Sequence, residues 1–422
     1  MVSQKRIHPA WLMLVACCFL QAGGMGTVIN SAAIMIPSVL ADLQFSQGSF
    51  MLYMTIQGFC MAISLPIAGR LLPRINVRIL VSGGVLAAAF AYGSMGLFTQ
   101  VWQWYIAGSV LGLAAFVFIL PAPVMIANWF KKRTGLAMGL AMACSGIGGA
   151  IINPLGGLFI DVYGWRITYV LLACISCVLV LPFTLFVIRF KPADMGVEPY
   201  GAEASETEAA PASSAGSHAS GALSGVLQKR AVASVSFVCL FLVAGILSLN
   251  SSFMQLLPTF AVAGGMAEIA ALLASSAMIG NIAGKLVLGW LNDRLGARSA
   301  SFCGLAVGIV AFLVLIASLG IGAGSALAIA GAVLFGAMTA MVQVSLPLIV
   351  RTAYGAKDYS AIYSYISMGT TVIGSLGITA VGVSFDAFSS YVPSMLVMVG
   401  ASVLAAVLLA AGLARAQKLP RV

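Results

Sequence analysis

The chain reads as an all-α integral membrane protein of twelve transmembrane helices in two six-helix bundles. Three observations carry that reading: the composition, the spacing of the apolar runs and the placement of the basic residues. Of 422 residues, 61% are hydrophobic and 8% charged, with a mean hydropathy of +1.07; soluble domains hold about 45–50% apolar and about 25% charged residues. Apolar runs of about 20 residues, enough to cross about 30 Å of hydrocarbon, fall near 11–40, 50–69, 78–98, 102–128, 135–158, 166–188, 231–262, 267–290, 299–318, 325–350, 360–383 and 391–413. The first run, from Trp11, continues past a signal-peptide core and shows no cleavage signature, so it reads as the first span.

An even number of spans puts both termini on one side, and the basic residues select that side. Nineteen of the 21 Lys and Arg lie on the termini or on alternate loops: Lys5, Arg6, Arg70, Arg74, Arg78, Lys131, Lys132, Arg133, Arg189, Lys191, Lys229, Arg230, Arg294, Arg298, Arg351, Lys357, Arg415, Lys418 and Arg421. Arg166 lies on the opposite face and Lys285 inside a span. The positive-inside rule then predicts cytoplasmic termini. Topology and attraction to anionic membrane lipid account for the net charge of +10, leaving nothing for nucleic acid to explain. All eight cysteines fall within apolar spans; Cys174 and Cys177 form a C-x-x-C without a second Cys or His pair, and packing is the expectation.

Residues 192–229 are rich in Ala, Ser, Gly, Glu and Pro with no apolar period, which predicts a flexible linker between bundles at 1–191 and 230–422. The halves repeat. Gly69-Arg70-Leu71-Leu72-Pro73-Arg74-Ile75-Asn76-Val77-Arg78 follows the second span, and Gly289-Trp290-Leu291-Asn292-Asp293-Arg294-Leu295-Gly296-Ala297-Arg298 follows the eighth. A glycine here lets two helices approach closely, and Asp293 at a helix end is expected to pair with nearby arginines.

These segments resemble the loop signature G-x-L-x-D-R-x-G-x-R of the major facilitator superfamily. The second copy matches throughout; the first has Pro73 for the Asp and Asn76 for the second Gly. The resemblance implies that fold, monomeric alternating access, and a conformational gate at Gly69, Arg74, Arg78, Gly289, Asp293, Arg294, Gly296 and Arg298 that locks the cytoplasmic side of the outward-facing state. The departures in the first copy imply a weaker latch there. Asn128-Trp129-Phe130-Lys131-Lys132-Arg133 ahead of the Gly135-Leu136-Ala137-Met138-Gly139 helix, with Gly164-Trp165-Arg166 in the next outer loop, is similar to the monocarboxylate porters and oxalate/formate antiporters. The first span lacks the acidic, Trp-rich opening of the animal porters, which points to a bacterial branch and so to the inner membrane.

Lys285 is the one ionisable side chain deep inside a span. A charge there costs about 2.5–3.5 kcal/mol on insertion scales and as a rule faces a water-filled cavity with a partner. It lies about 12 Å of helix before Asp293 at 1.5 Å per residue, too far for easy snorkelling. In the resembled porters a cation four residues before the signature glycine binds the substrate carboxylate, and Lys285 stands four before Gly289. Asn281 shares its face by i, i+4 spacing, where the proton-coupled porters carry an acid. None of the eleven Asp and Glu falls deep inside a span, Glu268 standing at the outer end of 267–290, so a carboxylate proton carrier is missing. Two couplings remain open: Lys285 sheds its proton when empty and regains it with the arriving anion, or it stays charged and one anion replaces another. The eleventh span carries no second lysine like that of the oxalate carriers, which favours a monoanion such as lactate, pyruvate or formate.

Asn30, Tyr53, Gln57, Asn250, Gln255, Gln343, Tyr365 and Thr370 are further substrate-contact candidates at plausible depth, with interhelical hydrogen bonding as the alternative. Asn153-Pro154-Leu155-Gly156-Gly157 falls short of the antiporter signature G-P-x-x-G-G and reads as close packing with a Pro-associated bend. An exporter of cations would need an intramembrane acid, which is missing; exporters of neutral solutes and non-transporting nutrient receptors stay open. Both His residues lie outside the spans and no metal-ligand set is present, which argues against an enzyme and against a metal cofactor.

Overall fold

The computed structural model describes residues 8–45, 47–202, 225–319 and 324–421. Lys5, Arg6 and linker residues 203–224 with His218 lie outside the described residues. Among the described residues there are ten long apolar helices, two of them of 54 and 47 residues. A straight helix of 54 residues would be about 80 Å long, far more than a bilayer's ~30 Å. Each of the two reverses at a single glycine with positive φ, Gly164 (φ 77°, ψ 162°) and Gly296 (φ 79°, ψ 159°), a conformation L side chains resist. Ten helices with two reversals make twelve spans.

They are α1 (Pro9–Leu43), α2 (Ser49–Leu71), α3 (Val77–Leu97), α4 (Val101–Trp129), α5 and α6 (134–163 and 165–187), α7 (Val235–Ala263), α8 and α9 (272–295 and 297–318), α10 (Gly324–Tyr354), α11 (Tyr359–Phe385) and α12 (Val392–Ala416). The even count returns the chain to the end at which α1 begins, and this end, carrying most of the Lys and Arg, is called the basic end below. The backbone keeps helical torsions through Pro154, with Gly164 the exception within Thr134–Pro182.

Four spans lose regular α geometry in their interior, α7 at a 3₁₀ turn over Phe253–Leu256 and three others where local sequence explains the loss. In α1, Gly23, Gly24 and Gly26 lie in a π-helical stretch over Leu20–Ile29; a Cβ on any of them would collide with α6, Phe118 of α4 or the α5 backbone. The helix α4 breaks between Ala115 and Leu120, ahead of Pro121 and Pro123, which supply no amide hydrogen to the preceding turn. In α10 a 3₁₀ turn over Ala340–Val342 precedes a restart at Ser345. Pro347 there removes the hydrogen bond that would satisfy the Gln343 carbonyl.

At the end opposite the basic one, Arg166 fastens the first bundle. Its guanidinium pairs with Asp42 at 3.4 Å, donates to the Phe98 carbonyl at 3.1 Å and stacks on Trp165. The two ends of the linker are not loose. The Tyr200 carbonyl accepts from Lys131 and Lys132 amides at 3.0 and 3.2 Å, within an aromatic cluster of His8, Trp11, Phe130 and Tyr200. On the other side Val226 N donates to the Tyr354 carbonyl and Gln228 N to the Asp358 carboxylate at 2.7 Å. Compositional bias at the two ends of the linker does not reveal this backbone pairing to loops far away in sequence.

Candidate functional site

The halves meet along α5 with α8 and α2 with α11, and glycines set the distance. A Cβ at Gly139 would overlap the Lys285 carbonyl oxygen, one at Gly289 the Gly135 carbonyl, and one at Gly69 the Ser364 side chain. Such contacts replace side chains with backbone proximity, the usual means of tight packing in lipid. Hydrogen bonds between the halves gather toward the basic end. The Asp293 carboxylate accepts from the amides of Gly135 at 2.7 Å and Leu136 at 2.8 Å, capping the positive end of α5. The predicted pairing of Asp293 with arginines is thereby corrected: two converging free amides of a helix start outcompete mobile guanidiniums. Arg294 instead stacks on Trp290, and Arg298 is exposed.

The first signature copy behaves differently. Without a carboxylate at Pro73, Arg70 takes the crossing role, donating to the Tyr365 hydroxyl. Arg74 is exposed, and Arg78 donates to the Ile188 and Phe186 carbonyls at 3.2 and 3.0 Å, a tie inside the first half. Arg351, at the end of α10, donates across to the Ala127 carbonyl of α4 at 3.2 Å. Its role was not legible in the sequence, where it reads as one more basic loop residue.

Lys285 is buried, 2% exposed, and its ammonium donates to the Met142 carbonyl at 3.1 Å and the Ser145 hydroxyl at 3.2 Å, both on α5 of the other half. Ser145 in turn donates to Met142 O at 2.8 Å, and its carbonyl accepts from the Asn30 amide at 3.4 Å. Charge-assisted bonds contribute about 1.5–3 kcal/mol each. Two of them offset an insertion cost of about 2.5–3.5 kcal/mol. They leave the positive charge itself without a counter-charge, since the one ion pair among the described residues is Arg166 with Asp42.

Beside this network lies a cavity of about 130 Å³ between the halves, with Gln21, Met142, Gln343, Tyr363, Ser367 and Thr370 in its wall and Met25, Phe118 and Ile119 as apolar lining. Of the sequence candidates, Gln343 and Thr370 line this cavity. Lys285 does not line the wall; it lies behind Met142, which belongs to both the wall and the ammonium's coordination.

The other candidates go elsewhere. Tyr53 is buried in an aromatic cluster with Phe50 and Trp104. The Gln57 backbone is pressed against Gly112 of α4. Asn250 is fully buried and donates to Ser402 Oγ of α12 at 2.8 Å; Asn281 donates to Thr339 Oγ1 of α10 at 2.8 Å. Gln255 is exposed on the turn Phe253–Leu256, and the Tyr365 hydroxyl serves Arg70. Nearly uniform hydrophobicity along these spans hides from sequence which face a helix turns inward.

Sequence reading passed over Gln21, whose Nε2 donates to the Phe118 carbonyl at the α4 break, 2.9 Å away. A glutamine inside the glycine-rich start of the first apolar run was the available signal. It also passed over Tyr363 and Ser367, which share a face with Thr370 by i, i+4 and i, i+7 spacing. Gln343 carries a buried Oε1 with no hydrogen-bond partner among the described residues, an acceptor set beside the cavity at the α10 break.

A family model for the Major Facilitator Superfamily matches residues 12–271. The chain belongs to the Major Facilitator Superfamily. A solved structure of the superfamily transporter FucP in the outward conformation superposes with a TM-score of 0.71 at 13% identity, covering 96% of this chain and 99% of that one, a likeness of fold. The chain is 27% identical over 237 residues to monocarboxylate transporter 12 of Xenopus laevis, 53% of this chain and 49% of that protein. It is 34% identical over 130 residues to multidrug resistance protein MdtG of Salmonella choleraesuis, 30% of this chain and 31% of that one. Matches thus span about half or less of these relatives' length. As a superfamily member with ten apolar helices among the described residues, the protein is an integral, multi-pass membrane protein.

The glycine seam holds the two halves in backbone contact. Gly139→Val is expected to wedge α5 from the Lys285 carbonyl and lower transport at least about tenfold while the protein still inserts, overpacking costing about 1–3 kcal/mol; uptake normalised to the amount in the membrane checks it.

Proposed function

We propose that this superfamily member is a secondary transporter of a small organic monoanion, a short monocarboxylate of the lactate, pyruvate or formate kind, with Lys285 as its anion-binding cation. The single observation that carries the reading is a buried ammonium joining the two halves through two neutral acceptors, with its charge uncompensated. A carboxylate entering beside Met142 supplies the missing charge and competes for the bonds that tie α8 to α5. Substrate binding thereby couples to the contact that must break for alternation. The small cavity favours a solute of few heavy atoms, and Gln343, Thr370 and Gln21 offer polar groups for its uncharged end.

In this reading the basic end faces the cytoplasm, with both termini, by the positive-inside rule. The protein sits in a bacterial inner membrane as a monomer, bundles 1–191 and 230–422 rock about the 192–229 linker, and the state described is closed inward. Proton symport and anion exchange both follow from one cation without an intramembrane acid. The likeness to a monocarboxylate transporter agrees with this reading.

A second reading, export of a neutral amphipathic solute, is favoured by the apolar lining of Met25, Phe118 and Ile119 and by the likeness to a multidrug resistance protein. Uptake of a panel of radiolabelled short carboxylates into proteoliposomes, with and without a pH gradient or internal counter-anion, separates the two. Saturable carboxylate uptake supports the first; uptake of no acid, with drug efflux instead, replaces it with the second.

A further inference from the structure

A second charged concavity lies away from the central cavity, at the basic end between the α2–α3 turn and the end of α6. It measures about 370 Å³ and brings together Arg74, Arg78, Arg189 and Lys191 with the single acid Asp194. Arg78 and Arg189 donate to the same two carbonyls, Phe186 and Ile188. Two guanidiniums are thus held side by side, and none of the four cations has an ion pair among the described residues. Asp194 accepts from the Lys191 amide at 3.0 Å, so it is engaged as a turn cap. The start of α3 faces the same space, Asn76 capping it by accepting from Arg78 N, and a helix start adds partial positive charge. Like charges clustered this closely repel one another, and an anion seated among them relieves the repulsion. Topology requires basic residues at this end but not their convergence on one concavity.

The rim identifies the anion. Ile79 and Phe186, 69% and 75% exposed, flank Arg78 and the carbonyls it binds, so apolar membrane-facing surface begins where the charge ends. We propose that this concavity is a binding site for the phosphodiester headgroup of an anionic phospholipid, whose acyl chains run along Ile79 and Phe186. The lipid bridges the α2–α3 signature turn and α6, and supplies the negative charge that Pro73 denies this half.

The test uses the full-length, delipidated protein and compares dissociation constants for short-chain phosphatidylglycerol, phosphatidylcholine and inorganic phosphate. The double variant Arg74→Gln/Lys191→Gln removes two cations while keeping the guanidiniums that bond the α6 carbonyls; Arg415→Gln/Lys418→Gln removes two elsewhere at the basic end. Each interfacial cation contributes roughly fivefold, so the first pair is expected to weaken phosphatidylglycerol binding about thirtyfold and the second to leave it unchanged. If the double variant does not fold, Lys191→Gln alone should give about fivefold. Equal losses in both pairs, or no preference for phosphatidylglycerol over phosphatidylcholine, would overturn the site. Inorganic phosphate that competes as well as the lipid would overturn the lipid assignment in favour of a free-anion site.

Discussion

Lys285→Gln is expected to lower monocarboxylate uptake at least about thirtyfold while the protein still folds and inserts. Truncating one partner of a buried, hydrogen-bonded charge pair costs about 2–5 kcal/mol, and about 2 kcal/mol already corresponds to that factor. Glutamine retains a donor for Ser145 or Met142, the acceptors of the native ammonium, so the α5–α8 seam should survive and the loss should fall on the anion. Lys285→Arg keeps the charge but must fit a larger fork against Met142 and Ser145, and an intermediate defect is expected. Initial rates across substrate concentration in proteoliposomes, normalised to reconstituted protein, check both variants. An unchanged rate in the glutamine variant would remove Lys285 from the site.

Asp293→Ala is expected to open the basic end. It removes the acceptor of two amides at the start of α5, comparable to losing a helix N-cap at about 0.5–2 kcal/mol. A shift of about 1–2 kcal/mol changes the ratio of the two states roughly 5- to 30-fold. Asp293→Asn keeps one acceptor and should give a smaller shift. Spin labels at positions 132 and 298, in a protein freed of its eight cysteines, should report a longer distance population in the alanine variant. Arg70 and Arg351 still cross the interface there, so closure is weakened, not abolished. An unaltered distance distribution would mean that Asp293 only finishes the α5 terminus.

Much of the fold was legible because lipid imposes strong rules. Span number follows from hydropathy and charge breaks, and the reversals at Gly164 and Gly296 fall within the loops predicted at 159–165 and 291–298. The buried cation at the seam was legible for the same reason: a charge in hydrocarbon needs a cause, which singles out Lys285. Uncharged polar residues carry no such penalty signal. Asn250 and Asn281 donate within the second half, to Ser402 and Thr339, and sequence cannot distinguish that from facing a cavity. Gln21, Tyr363 and Ser367 entered the wall through helix breaks and rotations that depend on which glycines meet which backbones. Those contacts, Gly26 against α5 or Gly139 against Lys285, join positions more than a hundred residues apart.

The most direct measurement of the central claim is equilibrium binding of a short monocarboxylate to the purified protein by titration calorimetry, native against Lys285→Gln. Binding separates recognition from the ability to alternate. The account predicts saturable one-site binding to the native protein, lost or weakened at least about thirtyfold in the variant. Equal affinity in the two proteins would contradict it, leaving Lys285 as a structural tie between α8 and α5.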